Sequence, residues 1–525
     1  MKRDKGISLL ADHDKVWNFI VVGGGATGLG TGLDAAARGY SVLLLEAHDF
    51  AGGTSGSSTK LIHGGVRYLQ QGNVALVVEA LHERGLLLRN APHLVHNLEF
   101  LVPDYHWWER PFYGIGLKLY DMLAGKYGFG RSRILSREKT LARIPTLEKK
   151  GLKGGVLYHD GQFDDARLAI TLARTMDDLG GVPVNYIQVE GLLKNDDGLV
   201  CGVNARDHFS GKSYSVHGRV VVNATGSFVD SIRDMDCKNE TRLIAPSQGI
   251  HLVLDKSFAP LKTALMVPGT DDGRVIFMVP WCGRVLVGTT DTALDLVTHN
   301  PRPLKEEVDY ILEHASRYLA RRPSREDVLS IFTGIRPLVA ASGKKKTSSL
   351  VRDHHLSISS SGLVTITGGK WTTYRKMAKD TVDKAIDVAG LQFQKSVTSR
   401  LKLHGYMEDT DPEDIFSVYG SDRRHVEALA EDRPDMLLPL HPHLPYRGVD
   451  VLWGVRNEMA CTLEDMMSRR MRALVLDAGA SLEMAEKVAD IMCEAFGKKN
   501  EEDRDVWKRA ELDRFYEAAE RCLGV

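Results

Sequence analysis

Three glycines that follow a short apolar run carry the clearest chemical signal in the sequence. Gly23, Gly25 and Gly28 fit the pattern G-x-G-x-x-G directly after the apolar residues 19–22. In this pattern the first glycine permits a tight turn, the second lets backbone approach a pyrophosphate, and the third packs a helix against a strand. The N-terminus of that helix directs unpaired N–H groups at the phosphates. The glycines therefore predict a site for a dinucleotide.

The segments on either side of these glycines support the same interpretation. Residues 41–45 form a second apolar run, and it ends at Glu46, 18 residues after Gly28. A carboxylate at the end of such a strand can accept hydrogen bonds from ribose hydroxyls. A strand, a glycine turn, a small-residue helix, a second strand and a terminal acid in this order form a specific signal, whereas the glycines alone would be a weak one.

A loop rich in glycine and hydroxyl groups follows the second strand at residues 51–60. Small residues let backbone lie close to a flat ligand, and the side chains of Thr54, Ser55 and Ser58 can bind phosphate or ring oxygens. We therefore predict that this loop contacts the same ligand as the glycines. The loop continues into an apolar segment that carries His63 and Arg67.

Composition limits the class of protein. The chain has 525 residues, 43% of them hydrophobic and 26% charged, which predicts two or three ordinary globular domains. The formal net charge of −1 gives no overall field that favours nucleic acid. The six cysteines are scattered without C-x-x-C spacing, and the acidic turns lack EF-hand spacing, so we predict reduced thiols and no metal site. No apolar run reaches the length of a membrane span, and residues 1–15 do not have the pattern of a signal peptide.

Six motifs, distributed in order over nearly the whole chain, resemble those of the FAD-dependent glycerol-3-phosphate dehydrogenases. They occupy residues 53–68, 164–168, 222–226, 288–291, 334–338 and 368–375. The resemblance implies an α/β fold with a Rossmann-like FAD-binding domain of the D-amino-acid-oxidase type, an antiparallel-sheet substrate domain and a helical C-terminal domain. The expected FAD-binding domain is discontinuous and comprises residues 15–100, 151–240 and 350–395. Residues 101–150 and 241–349 would form the substrate domain, and residues 400–525 the helical domain, with one amphipathic helix predicted over 449–478.

The resemblance and the glycine motif together assign a set of cofactor contacts. The expected cofactor is FAD, with a helix that begins near residue 371 facing one edge of the flavin. The predicted cofactor-binding residues are Gly23, Gly25, Gly28, Glu46, Thr54, Ser55, Ser58, His63, Gly64, Gly226, Gly369 and Thr372.

A phosphate monoester requires several fixed cations, for which arginine is the preferred residue. Arg67, Arg336, Arg352 and Lys370 each lie beside a glycine, a turn or a strand end. The resemblance implies that Arg67, Tyr68, Arg352 and Lys370 hold the phosphate and that Arg336 lies beside the reacting carbinol.

Oxidation of a secondary alcohol requires a base within hydrogen-bond reach of the hydroxyl group. His251 lies in a predicted strand, Gly249 to Leu254, that would cover the flavin, and it is our first choice. His63 is the second choice, although its neighbouring glycines favour a flavin contact.

Aromatic and basic side chains are concentrated in residues 105–133. Aromatic and aliphatic groups beside cations suit a lipid headgroup interface, and the resemblance implies monotopic attachment through this region. We therefore expect a peripheral protein on the cytoplasmic face of a membrane, or a soluble cytoplasmic one, with an anionic membrane surface and a membrane quinone as partners. No nucleic acid is expected as a partner, and a homodimer is left open.

The resemblance implies oxidation of sn-glycerol 3-phosphate to dihydroxyacetone phosphate, with hydride transfer from C2 to flavin N5 and electron transfer to the quinone. Three alternatives stay open from the sequence. The first is a glycerol-3-phosphate oxidase that uses oxygen, the second an amino-acid-oxidase-like flavoenzyme, and the third a flavin-binding protein without catalytic activity.

Overall fold

Two β-sheets and a helical C-terminal part make up the computed structural model of the chain. The described residues are 1–65, 73–238, 241–259, 262–271, 273–340, 354–498 and 500–524. The strands within them are β1 (Val16–Val22), β2 (Val42–Leu45), β3 (Leu61–Ile62), β4 (Val95–Asp104), β5 (Arg133–Ser136), β6 (Gly154–Phe163), β7 (Val182–Val184), β8 (Ile187–Lys194), β9 (Val200–Asp207), β10 (Ser213–Asn223), β11 (Ile244–Asp255), β12 (Thr263–Val267), β13 (Ile276–Trp281), β14 (Arg284–Gly288), β15 (Thr292–Ala293), β16 (Val328–Val339), β17 (His354–Ile358), β18 (Val364–Gly368), β19 (Pro439–His441) and β20 (Leu444–Arg447).

The α-helices of the same residues are α1 (Arg3–Leu10), α2 (Ala26–Ala37), α3 (Val74–Asn90), α4 (Glu109–Ala124), α5 (Arg137–Arg143), α6 (Asp165–Asp178), α7 (Val229–Asp236), α8 (Lys305–Ser316), α9 (Tyr374–Ala389), α10 (Arg423–Ala428), α11 (Gly448–Asn457), α12 (Ala473–Leu476), α13 (Ala478–Ala495) and α14 (Glu501–Leu523). Three of them, α2, α6 and α9, pack on one face of the sheet that contains β1, and the helices from α10 onwards form the C-terminal part. Among the described residues no helix is long and apolar enough to cross a bilayer.

The first sheet has a parallel core in the order β18-β10-β1-β2-β7. Phe19 and Val21 of β1 pack in one core with Leu29 of α2, whereas Ile20 packs in a second core on the other face. Burial on both faces explains why β1 reads as a continuous apolar run rather than an alternating one. Each fully buried side chain of this kind contributes about 1.5–3 kcal/mol relative to an exposed one.

The register of this sheet brings three turns of the chain together at the same end of its parallel strands. Val22 at the end of β1 pairs with Leu45 of β2 and Asn223 of β10. The glycine turn, Glu46 and the turn after β10 therefore lie side by side at the carboxyl ends of parallel strands, where ligands bind in folds of this kind. The α/β fold and the position of the glycine turn are as predicted.

The second sheet is mainly antiparallel and is centred on β11, which pairs with β14, β15 and β16. The antiparallel sheet predicted for the substrate domain is confirmed: β11, which contains the predicted strand Gly249 to Leu254, pairs antiparallel with β14, and β14 pairs antiparallel with β13. Strands β4 and β6 also pair in this sheet, although both lie wholly or partly within the segments predicted for the FAD-binding domain. The proposed domain boundaries stay predictions.

The C-terminal part is helical, as predicted, but the single helix predicted over residues 449–478 is wrong. Helix α11 ends at Asn457, Met459 and Arg472 adopt left-handed backbone angles (φ +53° and +65°), and a π-helical turn at Asp465–Arg470 lies between them. The chain bends here because buried charged groups at residues 458, 470 and 472 are bonded to other parts of the protein. The pairing of these side chains with distant residues determines the local backbone. The helical periodicity of the sequence gives no indication of that pairing.

Candidate active site

A cavity of about 890 Å³ lies between the two sheets. Its wall includes the glycine turn and Glu46 of the first sheet, together with His251 of β11, Arg336 of β16 and Lys370. The cavity therefore joins the predicted dinucleotide-binding residues to the predicted catalytic residues.

The glycine turn has the geometry that a bound pyrophosphate requires. Gly25 is the N-cap of α2, and Gly23 has a φ of +113°, which disfavours any residue with a side chain. A Cβ at Gly28 would lie 1.9 Å from the carbonyl oxygen of Gly23, so the helix packs against the turn as the pattern predicts. Ser55 completes the turn, because its Oγ accepts a hydrogen bond of 2.9 Å from the Ala26 N–H.

Glu46 is fixed at the end of β2 by two backbone donors. Its Oε2 accepts from the Gly24 N–H at 2.5 Å, and its Oε1 accepts from the His48 N–H at 2.8 Å. Burial raises the pKa of Glu46, and the hydrogen bonds from His48 and Gly24 oppose that shift. The carboxylate lines the cavity, and its bond to a ribose stays a prediction.

The hydroxyl groups of the loop at 51–60 bond to the protein itself. Thr54 Oγ1 donates to the Ile335 carbonyl at 2.5 Å, and Ser58 Oγ donates to Asp165 Oδ2 at 2.7 Å. Both residues line the cavity. Their hydroxyls order the loop in this structure, and their predicted contacts to the cofactor stay predictions.

Most of the other predicted cofactor residues also belong to the cavity wall. His63, Gly226, Gly369 and Thr372 line it. Gly64 is buried beside it and donates its N–H to the Tyr120 hydroxyl at 2.8 Å. Gly226 and Gly369 both have positive φ, +60° and +67°, which permits the tight turns after β10 and β18.

His251 is held rigidly in the cavity wall. Its ring stacks on Phe332 with centroids 4.7 Å apart, and a Cβ at Gly288 would lie 2.3 Å from its Cδ2. Its Nε2 lies 2.8 Å from Thr59 Oγ1. Burial, followed by the positive charges of Lys60 and Arg336, lowers the pKa of His251 to about 3. The imidazole is therefore neutral, as a proton acceptor must be.

Arg336 lies beside His251 on the neighbouring strand. Its guanidinium donates to Thr289 Oγ1 at 3.0 Å and to the Thr290 carbonyl at 2.8 Å, and it pairs with Asp291 at 3.4 Å. A Cβ at Gly249 would lie 2.3 Å from the guanidinium, so only glycine leaves room for the arginine there. These contacts fix a cation beside the predicted base.

Lys370 is a second predicted cation that lines the cavity. The other three residues predicted to hold a phosphate, Arg67, Tyr68 and Arg352, lie outside the described residues.

Sequence reasoning missed three residues in or beside the cavity. Arg274, which precedes β13, and Thr59 both line it, and Lys60 is fully buried behind it. Thr59 and Lys60 belong to the recognised motif at 53–68. A hydroxyl-bearing residue followed by a lysine within that motif was the signal available in the sequence. Arg274 is one arginine among many exposed ones in the sequence, and no spacing distinguishes it.

Lys60 belongs to a buried charge cluster that extends into the C-terminal part. Its Nζ donates to Asp165 Oδ2 at 2.6 Å, and Arg472 donates to Asp165 Oδ1 at 2.9 Å. Burial lowers the pKa of Lys60 to about 8, against the opposing charge of Asp165. Arg472 also pairs with Asp164 at 3.6 Å, so this cluster behind His251 contains two cations and two carboxylates.

Comparisons with known proteins agree with this geometry. A sequence model described as FAD dependent oxidoreductase matches residues 18–375, and one described as the C-terminal domain of alpha-glycerophosphate oxidase matches residues 363–503. The mitochondrial glycerol-3-phosphate dehydrogenase of Bos taurus is 40% identical over 91% of this chain and 70% of its own length.

Solved structures give the same result. The glycerol-3-phosphate dehydrogenase of Bacillus halodurans, solved in complex with FAD, superimposes with a TM-score of 0.80 at 30% identity and covers 99% of this chain and 98% of its own. The L-alpha-glycerophosphate oxidase of Mycoplasma pneumoniae, with a TM-score of 0.57 at 18% identity over 73% of this chain and 97% of its own, shows a shared fold. The chain thus belongs to the FAD-dependent oxidoreductases and, within them, to the glycerol-3-phosphate dehydrogenase family.

Proposed function

We propose that this protein oxidises sn-glycerol 3-phosphate to dihydroxyacetone phosphate with FAD as its cofactor. The proposal rests on one cavity whose wall contains the glycine turn after β1, the neutral imidazole of His251 and the guanidinium of Arg336, both of which are held in place by neighbouring residues. In this reaction the alcohol at C2 loses a hydride with its electron pair and its hydroxyl loses a proton.

FAD fits the residues that line the cavity around the glycine turn, Glu46, His63 and Thr372. The N-terminus of α2 and the backbone of Gly23 to Gly25 would hold the pyrophosphate, and Glu46 would hold the adenosine ribose. Thr372 lies in the turn Trp371–Thr373 before α9, its hydroxyl donates to the His63 carbonyl at 3.3 Å, and both residues would contact the flavin. When bound, FAD supplies the acceptor for the hydride that leaves C2.

His251 would accept the proton of the substrate hydroxyl. Its ring is neutral because burial and two nearby cations disfavour the imidazolium form. A substrate that carries a phosphate dianion would compensate those cations and raise the basicity of the ring when it is needed. Arg336 would stabilise the negative charge that develops on the C2 oxygen as the proton leaves.

Lys370 would bind the phosphate group together with Arg67, Tyr68 and Arg352. The argument for Lys370 is its place in the cavity wall, directly after β18 and the turn of Gly368 and Gly369. The argument for the other three rests on their motif positions, since they lie outside the described residues.

Anaerobic titration of the purified yellow protein tests this function. Addition of sn-glycerol 3-phosphate is expected to bleach the flavin absorbance with release of dihydroxyacetone phosphate, whereas glycine or proline is expected to leave it unchanged. A flavin that amino acids bleach and glycerol 3-phosphate does not would overturn the assignment. A flavin that neither class reduces would favour a binding protein without this activity.

A membrane quinone is the electron acceptor that we propose. One matching family model is named for an oxidase, whereas the similar mitochondrial protein is named a dehydrogenase. The identity of the electron acceptor therefore requires its own experiment. Reoxidation of the reduced protein by a soluble quinone is expected to be at least tenfold faster than by air-saturated buffer, without stoichiometric peroxide. Rapid reoxidation by oxygen with peroxide release would make the protein an oxidase.

A contact surface for the membrane is proposed on α4. Leu117 and Tyr120 on one face of this helix are buried, whereas Ile115 and Met122 on the other are 71% and 77% exposed. Trp107, just before the helix, is 78% exposed. Exposed apolar residues on one helix face, beside Lys118 and Lys126, suit insertion into the headgroup region of an anionic bilayer.

Substitution of both Ile115 and Met122 by glutamate is expected to lower the fraction bound to anionic vesicles at least tenfold, because apolar groups would be replaced by charges that the surface repels. Reversal of Lys118 and Lys126 to glutamate is expected to act in the same direction and more strongly at low salt. Leu296→Glu is the matched control, because Leu296 is 75% exposed but lies outside this surface. Co-sedimentation that stays unchanged in both double variants would exclude α4 as the contact.

A further inference from the structure

The Thr59 hydroxyl forms a hydrogen bond with Nε2 of His251. The Oγ1–Nε2 distance is 2.8 Å. His251 itself is only 3% exposed, whereas Thr59 is half-buried and lines the cavity. The hydroxyl is therefore more accessible from the cavity than the ring that it bonds.

The imidazole cannot turn to present a different atom. Phe332 covers one face of the ring, and Gly288 leaves no space beyond its Cδ2 edge. The opposite nitrogen, Nδ1, is buried and has no hydrogen-bond partner among the described residues. Proton exchange with the cavity is therefore directed through Nε2 and its partner.

Thr59 is held in place from both sides by one buried carboxylate. The backbone N–H and the Oγ of Ser58 both donate to Asp165 Oδ2, and the Lys60 Nζ donates to the same oxygen. Lys60 adopts a left-handed backbone with φ of +62°, a costly conformation for a residue with a long side chain. The Asp165 contacts hold that backbone, and this fixes the direction of the Thr59 side chain between its two neighbours.

We propose that Thr59 relays the substrate proton to His251. The O–H bond of the substrate breaks as its proton bonds to Thr59 Oγ1, and the proton of Thr59 bonds to Nε2 of His251. One proton is moved and neither residue changes oxidation state, so the hydride lost from C2 accounts for both electrons. The relay rests on the proposed function and on His251 as the base. It makes Thr59 a catalytic residue rather than a packing one.

Three substitutions of the holoenzyme test the relay. Thr59→Val keeps the shape of the side chain but removes its hydroxyl, Thr59→Ser keeps the hydroxyl, and His251→Asn removes the base. The rate constant of anaerobic flavin bleaching and the Kd for sn-glycerol 3-phosphate are measured, with FAD content and Tm as controls of folding. If the valine variant loses FAD, Thr59→Ala replaces it.

Thr59→Val is expected to lower the bleaching rate constant about a hundredfold, within the range for a proton-transfer group, with Kd changed less than about threefold. Thr59→Ser is expected to recover most of that loss. In the His251→Asn background, Thr59→Val is expected to cause almost no further loss, because residues that act in series are not additive. The solvent isotope effect of wild type is expected to disappear in the valine variant.

The results separate the relay from the function on which it rests. If glycerol 3-phosphate fails to bleach the wild-type flavin, the proposed function fails. If wild type reacts and His251→Asn reacts equally fast, the base assignment fails. If both behave as expected but Thr59→Val lies within threefold of wild type, or if its loss multiplies with that of His251→Asn, the relay alone is wrong.

Discussion

Substitution of His251 by asparagine is expected to lower kcat by two to four orders of magnitude while FAD stays bound, because the substrate hydroxyl loses its proton acceptor. The hydrogen bond and the ring contact of His251 are made to Thr59 and Phe332, not to the glycine turn or Glu46, so the cofactor content should match wild type. Steady-state turnover with an artificial acceptor and the flavin-to-protein absorbance ratio measure both quantities. A variant with near-normal kcat would exclude His251 as the base.

His96→Asn is the matched control. His96 is half-buried on β4, its pKa is lowered to about 4 by burial, and it does not line the cavity. Loss of a histidine from that position is expected to change kcat less than about threefold.

The pH dependence of kcat/KM gives a second check on His251. Burial, with Lys60 and Arg336, holds the pKa of its ring at about 3, so the ring is neutral from pH 8 to pH 5 and is protonated only as pH falls towards 3. Any loss of kcat/KM around pH 6 should therefore follow the second ionisation of the substrate phosphate, which lies at about 6. A substrate whose phosphate charge does not change with pH provides the check. If kcat/KM for that substrate still falls with a midpoint near pH 6, the low pKa of His251 is contradicted.

Removal of the Glu458 carboxylate is expected to cause the largest loss of stability. Arg167 of α6 donates twice to Glu458, at 2.7 Å each, and Trp453 donates to it at 3.0 Å. All three side chains are buried, so Glu458→Ala leaves the Arg167 charge unpaired. The expected loss is about 3–5 kcal/mol in the free energy of unfolding, measured by thermal or denaturant unfolding with FAD bound.

An exposed pair provides the control for this effect. Arg433 and Glu494 lie 2.9 Å apart, and both side chains are about half exposed, so Glu494→Ala is expected to leave Tm almost unchanged. Equal losses in the two variants would show that burial does not decide the strength of these pairs.

Acid sensitivity follows from the same contact. Burial alone would raise the pKa of Glu458, but Arg167 and its hydrogen bonds lower it to about 2. A lowered pKa means that the folded state releases the proton more readily than the unfolded one, so the stabilisation is present above about pH 4.3 and is lost as pH falls towards 2. The slope of stability against pH in that window should be smaller in Glu458→Ala than in wild type.

The parts of the fold that depend on local sequence could be predicted. The apolar β1, the glycine turn and the acid at the end of β2 are close in sequence, and the physical demands of a dinucleotide fix their types and spacing. Strands β13 and β14 are apolar runs separated by a short turn that contains Gly283, so their antiparallel pairing was accessible from the sequence.

What could not be predicted depends on contacts between distant residues. Thr59 and His251 are separated by 192 positions, and nothing in either segment specifies the other. The break in the predicted helix at 449–478 arises because Glu458 and Arg472 satisfy partners on α6, which helical periodicity does not encode. Strands β4 and β6 pair with each other, and β4 joins the second sheet by pairing with β12, whereas their apolar pattern would suit either sheet.

The order of the chain has a consequence for biosynthesis. Strand β18 and Lys370 complete the nucleotide sheet and the wall of the cavity, and Arg469, which also lines the cavity, binds Asp49 beside the glycine turn at 2.6 Å. A ribosome releases β1 and the glycine turn long before it releases these partners. The nascent chain therefore exposes the pyrophosphate-binding turn before the rest of the cavity has formed. FAD can bind stably only after most of the polypeptide has been translated.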